Sequence, residues 1–423
     1  EVGGGVPNSM DCPKPFWTVS SPFNPHPHPM LSRLAIRMVR DVDTRLLFSF
    51  GYRMGWQGMR SVQRFERRRR RAVTYPPFWF LSITDACNLN CQGCWVTQAG
   101  RQLSFDTLDS LITDAKAQGC TFFGLLGGEP LLHPDVLRIP QRHRDCYFQL
   151  FTNGSLLTDE IGRELRRLGN VSPLISIEGD EEESDRRRGG SDVYAKAVDA
   201  LAVCRANRLV YGVAASVCRT NIGHVATDRF LQELVARGAH YMWYYIYRPV
   251  GPDPAPALAL TAEQITDLRR FVVEARHRNP IVIIDSYWDH EGRALCPAAT
   301  GISHHIGPGG DVEPCPVIQF AADNVSDGRL GTDIPESAFL HRFRTDAAAR
   351  TRGCILLEDP AELTRIVRQG GAHDSSGRGV GLDELRCMAP CPSHHQPQEE
   401  IPETHPLYRF AKKHWFFGFG AYG

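Results

Sequence analysis

Short apolar segments alternate with longer amphipathic segments from residue 77 onwards. The apolar segments are rich in β-branched and aromatic residues, which is typical of strands buried on both faces. They cover residues 77–84, 120–126, 146–152, 172–178, 210–217 and 240–247. Apolar residues recur at helical spacing in the longer segments, which are residues 104–118, 158–168, 191–207, 224–237 and 261–277. This alternation predicts an α/β fold built on a parallel sheet.

The N-terminal part of the chain has a different pattern. Residues 1–30 are rich in Gly, Pro and Ser and predict an irregular arm. A helix is predicted next, because apolar residues recur at helical spacing with arginines between them. The apolar residues are Leu31, Leu34, Met38, Val42 and Leu46, and a run of arginines at 67–71 follows an aromatic stretch. We favour a helix packed on the rest of the fold with solvated arginines. The alternative is an interfacial helix that rests on an anionic membrane.

Composition narrows the class of protein. The 423-residue chain has 48 basic and 48 acidic residues, so its net charge indicates no nucleic acid or other charged partner. No apolar run reaches the length of a membrane span. The 13 cysteines are odd in number and clustered, which favours metal ligation in a reducing compartment over a disulfide framework. We therefore expect a cytoplasmic protein, with peripheral membrane contact as a further option.

Three cysteines lie close together directly after the first predicted strand. Cys87, Cys91 and Cys94 stand in the segment CNLNCQGCW, with three and then two residues between them. Thiolates at this spacing suit an iron–sulfur cluster, in which three ligands leave one iron atom of four open. Structural zinc is the alternative, but zinc sites usually combine CxxC pairs or set histidines, and no histidine lies between Val73 and Leu132.

This CxxxCxxC segment resembles the hallmark of the radical S-adenosylmethionine (radical SAM) superfamily. The resemblance implies a partial (β/α)6 barrel, a 4Fe–4S cluster held by the catalytic cysteines Cys87, Cys91 and Cys94, and SAM bound at the open iron. Gly93 stands where that family often has an aromatic residue. The segment GGEP follows the second predicted strand and matches the family segment that binds the methionine part of SAM. The cofactor-binding residues that the resemblance implies are Gly127, Gly128, Glu129, Pro130, Thr152, Asn153, Ser176, Glu178 and Ser216.

Tyr245 and Tyr247, on the sixth predicted strand, are weaker candidates for the same site. The charged segment 178–190 includes three arginines, Arg186 to Arg188, which could reach a carboxylate or a phosphate. We favour the interpretation of this segment as a solvated loop. The cysteines outside the clusters are interpreted as buried apolar thiols; they are Cys120, Cys146, Cys204 and Cys218.

A second cysteine set follows residue 285, where the sequence becomes rich in loops, Pro and Gly. The segment from Cys296 to Cys315 resembles the SPASM/twitch domain, which carries auxiliary clusters in many radical SAM enzymes. One auxiliary cluster is expected, held by Cys296, Cys315 and two of Cys354, Cys387 and Cys391. Zinc remains an alternative at this site, and His394 and His395 are interpreted as surface residues.

The predicted domains are an N-terminal arm and helical extension (1–76), a radical SAM partial barrel (77–285), an auxiliary-cluster domain (286–400) and an aromatic tail (401–423). The function that the resemblance implies is reductive cleavage of SAM and abstraction of hydrogen from an unactivated C–H bond. The expected partners are SAM, a lipid or peptide substrate, and an electron donor such as flavodoxin or ferredoxin. The alternative function is a non-catalytic iron–sulfur or zinc protein that transfers electrons.

Overall fold

A nine-stranded sheet forms the centre of the protein. The computed structural model describes residues 29–327 and 337–415. The strand order is β7-β6-β5-β4-β3-β2-β1-β8-β9, and all neighbours from β7 to β8 are parallel. Only β9 runs antiparallel, in a hairpin with β8. The strands are β1 (Phe78–Thr84), β2 (Phe122–Gly127), β3 (Tyr147–Thr152), β4 (Val171–Ser176), β5 (Gly212–Val217), β6 (Tyr241–Ile246), β7 (Val282–Asp285), β8 (Ser303–Ile306) and β9 (Val312–Glu313).

Helices follow the strands as the sequence pattern predicts. Ser104 and Thr158 cap the first two main helices, since each side chain accepts a hydrogen bond from the backbone N–H three residues later. The helices after β1 are α4 (Phe105–Ala117), α5 (Arg138–Arg142), α6 (Asp159–Leu168), α7 (Glu181–Arg188), α8 (Val193–Ala206), α9 (Ile222–Val225), α10 (Asp228–Ala236) and α11 (Ala262–Arg278). The α/β class and the six predicted strands are confirmed.

Two parallel strands were not among the six predicted. β7 is the apolar segment after α11, and β8 lies within the predicted auxiliary domain, where it pairs with β1 from Phe78↔Ser303 to Leu81↔Ile306. Only four residues long, β8 lies among glycines and histidines, so its apolar signal is weak. The part predicted to be a separate auxiliary domain thus extends the sheet of the barrel.

The C-terminal part consists of short helices joined by loops. Its helices are α12 (Pro297–Thr300), α13 (Ala338–Arg350), α14 (Ile355–Glu358), α15 (Pro360–Gln369), α16 (Gly381–Cys387) and α17 (Pro406–His414). Two short strands, β10 (Phe320–Ala321) and β11 (His373–Asp374), pair antiparallel. The last residues of the predicted aromatic tail, 416–423, lie outside the described residues.

A buried cluster of charges fixes the C-terminal segment to the sheet. Asp285, at the end of β7, accepts hydrogen bonds from Arg269 (2.7 Å), Arg276 (3.0 Å) and Lys412 (2.6 Å). Glu403 pairs with Arg276, and all five side chains are almost fully buried. Because three cations surround Asp285, the pKa of its carboxyl lies far below its usual value.

The N-terminal extension is a run of helices, as predicted. They are α1 (Pro29–Asp41), α2 (Thr44–Phe50), a π-helix (Gly51–Gln57) and α3 (Gly58–Arg69). Val42 and Leu46 are buried as the pattern predicts, and the buried Arg37 donates hydrogen bonds to the carbonyls of Pro280 and Ala239. The inner face of the extension therefore packs on the sheet domain. Residues 1–28 of the predicted arm lie outside the described residues, and α1 begins at Pro29.

Candidate functional site

The carboxyl ends of β1 to β6 and the C-terminal loops enclose one cavity of about 720 Å³. The three cysteines after β1 line this cavity, together with three cysteines of the second set. Catalytic groups of parallel α/β folds gather at the carboxyl ends of the strands. The structure therefore brings both predicted cysteine sets to one space.

Cys87, Cys91 and Cys94 lie in the loop after β1 and are half-buried. The N–H of Cys94 donates to the carbonyl of Cys91 over 3.2 Å, which makes a tight turn. Burial and the neighbouring thiols raise the pKa of Cys94 to about 11, and burial raises the pKa of Cys87. Thiols with raised pKa values are protonated at neutral pH, so they need a nearby cation to act as thiolate ligands. The iron atoms of a cluster would supply that positive charge.

The glycine turn after β2 lies directly against the cysteine loop. Gly127 has φ +128°, and a Cβ atom there would overlap the carbonyl oxygen of Thr84. The N–H of Gly128 donates to that same oxygen over 2.9 Å, and a Cβ atom on Gly128 would overlap the carbonyl oxygen of Ala86. The two glycines are required because no side chain fits between these backbones. Both line the cavity, as the sequence predicts.

Glu129 connects the glycine turn to the end of β3. Its buried carboxylate accepts hydrogen bonds from the N–H of Leu131 (3.1 Å), the hydroxyl of Thr152 (2.8 Å) and the N–H of Asn153 (2.8 Å). Thr152 and Asn153 line the cavity, whereas Glu129 and Pro130 lie behind its wall. These contacts make Glu129 a residue that positions the turn at Thr152–Asn153.

Asn153 extends this connection to the cysteine loop. Its amide donates to the side chain of Asn88 over 2.9 Å, and the Asn88 amide donates to the hydroxyl of Ser155 over 2.8 Å. Asn88 is the residue after Cys87. The predicted turn at the end of β3 therefore holds the cysteine loop in place.

The contacts of Glu129 allow a direct test of this framework. Glutamine has only one acceptor oxygen at this position, and its NH₂ group would face donors. We expect Glu129→Gln to lower the free energy of unfolding by about 2 kcal/mol, because a buried donor is left without an acceptor. Denaturant unfolding measures the change. Glu160→Gln, on the exposed surface of α6, is the matched control and should change the free energy by less than about 0.5 kcal/mol. Equal stability of both variants would contradict the assigned role.

Two arginines lie under the ends of β4 and β5. The buried carboxylate of Glu178 pairs with Arg187 (3.1 Å) and with Arg188, and it accepts a hydrogen bond from the N–H of Ser216 (3.0 Å). Ser176, Glu178 and Ser216 all line the cavity. Because these donors occupy both oxygens of Glu178, its evident role is to hold the arginines.

The solvated-loop interpretation of segment 178–190 is wrong. The segment contains helix α7, capped by the Asp180 side chain, and of its three arginines only Arg186 is exposed. Arg187 is 4% exposed and lines the cavity, and its Nε has no hydrogen-bond partner among the described residues. The guanidinium of Arg188 lies 3.9 Å from the sulfur of Cys91. A run of like charges is typical of a solvated segment. The sequence pattern does not show that Glu178, which lies outside the helix, neutralises two of these arginines.

Three cysteines of the second set line the same cavity. They are Cys296, Cys315 and Cys354, and burial raises the pKa of Cys296 to about 11 and that of Cys315 to about 12. Cys391 lies close enough to Cys354 for that thiol to raise its pKa further. Arg248 donates from Nε to the sulfur of Cys354 over 3.4 Å. A half-buried guanidinium therefore accompanies each cysteine set.

Two predictions about the C-terminal residues change with the structure. Cys387 is exposed at the end of α16, whereas Cys391 is half-buried and close enough to Cys354 for the two thiols to interact. Neither of the two lines the cavity. His394 is not a surface residue. It is 2% exposed, and its ring bonds to the carbonyl of Leu295 over 2.9 Å. Burial lowers the pKa of His394 to about 3.

Aromatic side chains form part of the cavity wall. Phe80, Phe151, Trp243 and Tyr245 line the cavity, and the last two stack with ring centroids 5.1 Å apart. The hydroxyl of Tyr245 is buried and has no hydrogen-bond partner within the described part of the chain. Tyr245 is a weak candidate from the sequence alone, because a single tyrosine in an aromatic strand is usually a core residue.

A buried serine, histidine and glutamate lie beside the site. Ser82 contacts Nε2 of His305 over 2.7 Å, and Nδ1 of His305 contacts Glu313 over 2.6 Å. All three residues are at most 1% exposed, and none lines the cavity. A nucleophile must reach its substrate, so this arrangement joins β1, β8 and β9 and has no hydrolytic role.

Within residues 29–327 and 337–415, no three His, Cys, Asp or Glu side chains have the geometry to hold one metal ion. What fits an iron–sulfur group is the donor set, namely two groups of thiols on one cavity, each beside a half-buried guanidinium.

Comparison with known proteins identifies the domain. Residues 81–226 match the model of the "Radical SAM superfamily". The chain is 28% identical over 171 residues to "AdoMet-dependent heme synthase" of Methanosarcina barkeri, an alignment that covers 39% of this chain and 49% of that protein. The chain thus spans about half the length of that relative. It is 26% identical over 358 residues to "PqqA peptide cyclase" of Bradyrhizobium diazoefficiens, covering 77% of this chain and 90% of that protein.

Solved structures show the same fold. The crystal structure of Streptococcus suis SuiB bound to S-adenosylmethionine superposes with a TM-score of 0.51 at 14% identity, covering 59% of this chain and 62% of that chain. SuiB bound to precursor peptide SuiA gives the same TM-score at 12% identity and covers 81% and 78% of the two chains. Residues 81–226 are therefore a radical SAM domain, and members of that family use a 4Fe–4S cluster and S-adenosylmethionine.

Proposed function

We propose that Cys87, Cys91 and Cys94 hold the 4Fe–4S cluster at which SAM binds. When bound, this cluster supplies the electron that cleaves SAM to methionine and a 5′-deoxyadenosyl radical, which removes hydrogen from an unactivated C–H bond. The observation that carries the proposal is the shared cavity, in which the three thiols meet the paired glycines after β2.

Some residues around these thiols would contact SAM, and others hold the contacting residues in position. Gly127 and Gly128 offer backbone groups to the amino acid part of SAM, and Thr152, Asn153, Ser176 and Ser216 line the rest of the cofactor site. Glu129 and Glu178 support this surface, and Pro130 begins the short helical turn behind it. The unpaired Nε of Arg187 offers a donor and a positive charge to an anionic group in the cavity.

We propose one auxiliary iron–sulfur cluster at Cys296, Cys315, Cys354 and Cys391. Four thiolates complete the ligands of a 4Fe–4S cluster and leave no iron open, so the expected role is electron transfer. Substrate would lie between the two clusters, against the wall of Phe80, Phe151 and Tyr245. External electrons would come from a donor such as flavodoxin or ferredoxin.

The proposed substrate is a peptide. The names of similar proteins, a peptide cyclase and SuiB with its precursor peptide, support this class. A lipid or isoprenoid is the second candidate, because the cavity wall is largely aromatic. No helix among the described residues is long and apolar enough to cross a membrane. We propose a cytoplasmic location with peripheral membrane contact, in keeping with the free cysteines.

The proposal is tested by anaerobic reconstitution with iron and sulfide, reduction by dithionite, and an assay for 5′-deoxyadenosine from SAM. We expect about eight iron atoms per chain and dithionite-dependent product. Iron uptake without 5′-deoxyadenosine would support the non-catalytic electron-transfer alternative. Stoichiometric zinc that blocks iron uptake would contradict both proposed clusters.

A further inference from the structure

The outer face of the N-terminal helices exposes a stripe of large apolar side chains. Phe48 is 77% exposed, Tyr52 50% and Trp56 54%, and they follow one another at four-residue spacing through α2 and the π-helix. Residues four apart lie on the same side of a helix. Three exposed aromatic rings in one line are unusual on the surface of a monomer, where large apolar residues are normally scattered.

Two further helices of this region, α1 and α17, also expose large apolar side chains. On α1, Ile36 is 63% exposed and Val39 is 67% exposed. On α17, Phe410 is 50% exposed, and α17 contacts α3. The indole N–H of Trp415, just after α17, donates to the carbonyl of Met54 over 2.7 Å. Here "the apolar stripe" denotes Ile36, Val39, Phe48, Tyr52 and Trp56.

Positive charge concentrates around the apolar stripe. Residues 29–73 contain twelve arginines and three acidic residues, in a chain whose net charge is zero. Most of these arginines are exposed. The exposed members are Arg33, Arg40, Arg45, Arg60, Arg64, Arg67, Arg69, Arg70 and Arg71. This excess of exposed cationic groups is complementary to an anionic surface.

The inner face of the N-terminal helices packs on the sheet domain and holds these helices in place. Arg37 is buried and bonds to the carbonyls of Pro280 and Ala239, while Val42, Leu46 and Phe65 pack in the core. The helices are therefore held to the sheet domain independently of the apolar stripe. A π-helix is rare and occurs preferentially at functional sites, and here it carries Tyr52 and Trp56.

We propose that the apolar stripe and its arginines dock the protein on the surface of an anionic lipid bilayer. Aromatic rings enter the boundary between headgroups and acyl chains, and arginines extend to the lipid phosphates. The helices would lie in the plane of the surface, with the sheet domain on the aqueous side. This inference names the lipid chemistry and the residues of the peripheral contact proposed above, and it does not depend on the chemistry of the cavity.

Vesicle flotation of the full-length, cluster-loaded protein tests the inference. The vesicles are pure phosphatidylcholine or phosphatidylcholine with about a third phosphatidylglycerol. We expect at least roughly tenfold stronger binding to the anionic vesicles, with loss of binding as salt is raised. The double variant Tyr52→Ser/Trp56→Ser should lose at least about tenfold in binding, because each ring contributes apolar area.

Matched variants separate lipid docking from its alternatives. Val380→Ser removes an equally exposed apolar residue from another surface and should leave binding unchanged. Arg60→Gln/Arg67→Gln should weaken binding to anionic vesicles only. Unchanged thermal unfolding and unchanged 5′-deoxyadenosine formation from SAM must accompany each loss. If a variant unfolds at a lower temperature or forms less 5′-deoxyadenosine, Phe48→Ser is tested in its place. Equal binding to both vesicle types, or a dimer in light scattering that Tyr52→Ser/Trp56→Ser dissociates, would overturn the inference.

Discussion

Replacing Cys94 with alanine is expected to abolish 5′-deoxyadenosine formation and to remove about four of the roughly eight iron atoms bound per chain. Cys94 is one of three thiols on the cavity wall beside Gly127 and Gly128. Two remaining thiolates cannot hold a cluster whose fourth iron must stay open to SAM. Iron and sulfide analysis and chromatography of the SAM reaction measure both effects.

Cys204→Ala is the matched control for this variant. Cys204 is also a free thiol, but it is fully buried in α8 and does not line the cavity. Its replacement should leave iron content and product formation unchanged. Formation of 5′-deoxyadenosine by the Cys94→Ala variant at more than about a tenth of the wild-type rate would contradict the assigned ligands.

The second large effect is expected from replacing Cys315, which belongs to the second cysteine set. Cys315→Ala should remove about four iron atoms while SAM cleavage by dithionite persists, because only the auxiliary cluster is lost. Turnover of the substrate should fall to on the order of a hundredth of the wild-type rate, since an electron path is broken. Iron analysis, the 5′-deoxyadenosine assay and product analysis separate the two effects.

Cys387→Ala provides the control that the structure itself suggests. Sequence spacing makes Cys387 as good a ligand as Cys391, yet the structure leaves it exposed on α16, away from the cavity. Its replacement should cost no iron. Loss of a cluster in Cys387→Ala, with none in Cys391→Ala, would show that the proposed ligand set is wrong.

The sequence predicts the fold class and several residues of the cavity wall because these follow from local patterns. Apolar strands and capped helices locate β1 to β6, and the segments at the ends of β1, β2 and β3 carry their chemistry in adjacent residues. Parallel topology then brings the strand ends together. Ser176 and Ser216, at the carboxyl ends of β4 and β5, line the cavity by the same rule.

The rest depends on contacts distant in sequence. Arg187 and Arg188 both pair with Glu178, and Arg248 lines the cavity and donates to the sulfur of Cys354. The choice of Cys391 over Cys387 depends on where α16 ends, and β8 is recognisable only by its pairing with β1. No periodicity along the chain encodes these pairings.

The central claim is that three thiolates leave one iron atom for SAM in the cavity beside the glycine turn. Electron paramagnetic resonance of the reduced Cys315→Ala/Cys354→Ala variant, which should contain one cluster, tests it most directly. Addition of SAM is predicted to change the spectrum of that cluster. An unchanged spectrum, or a SAM-dependent change that survives in Cys94→Ala, would contradict the account.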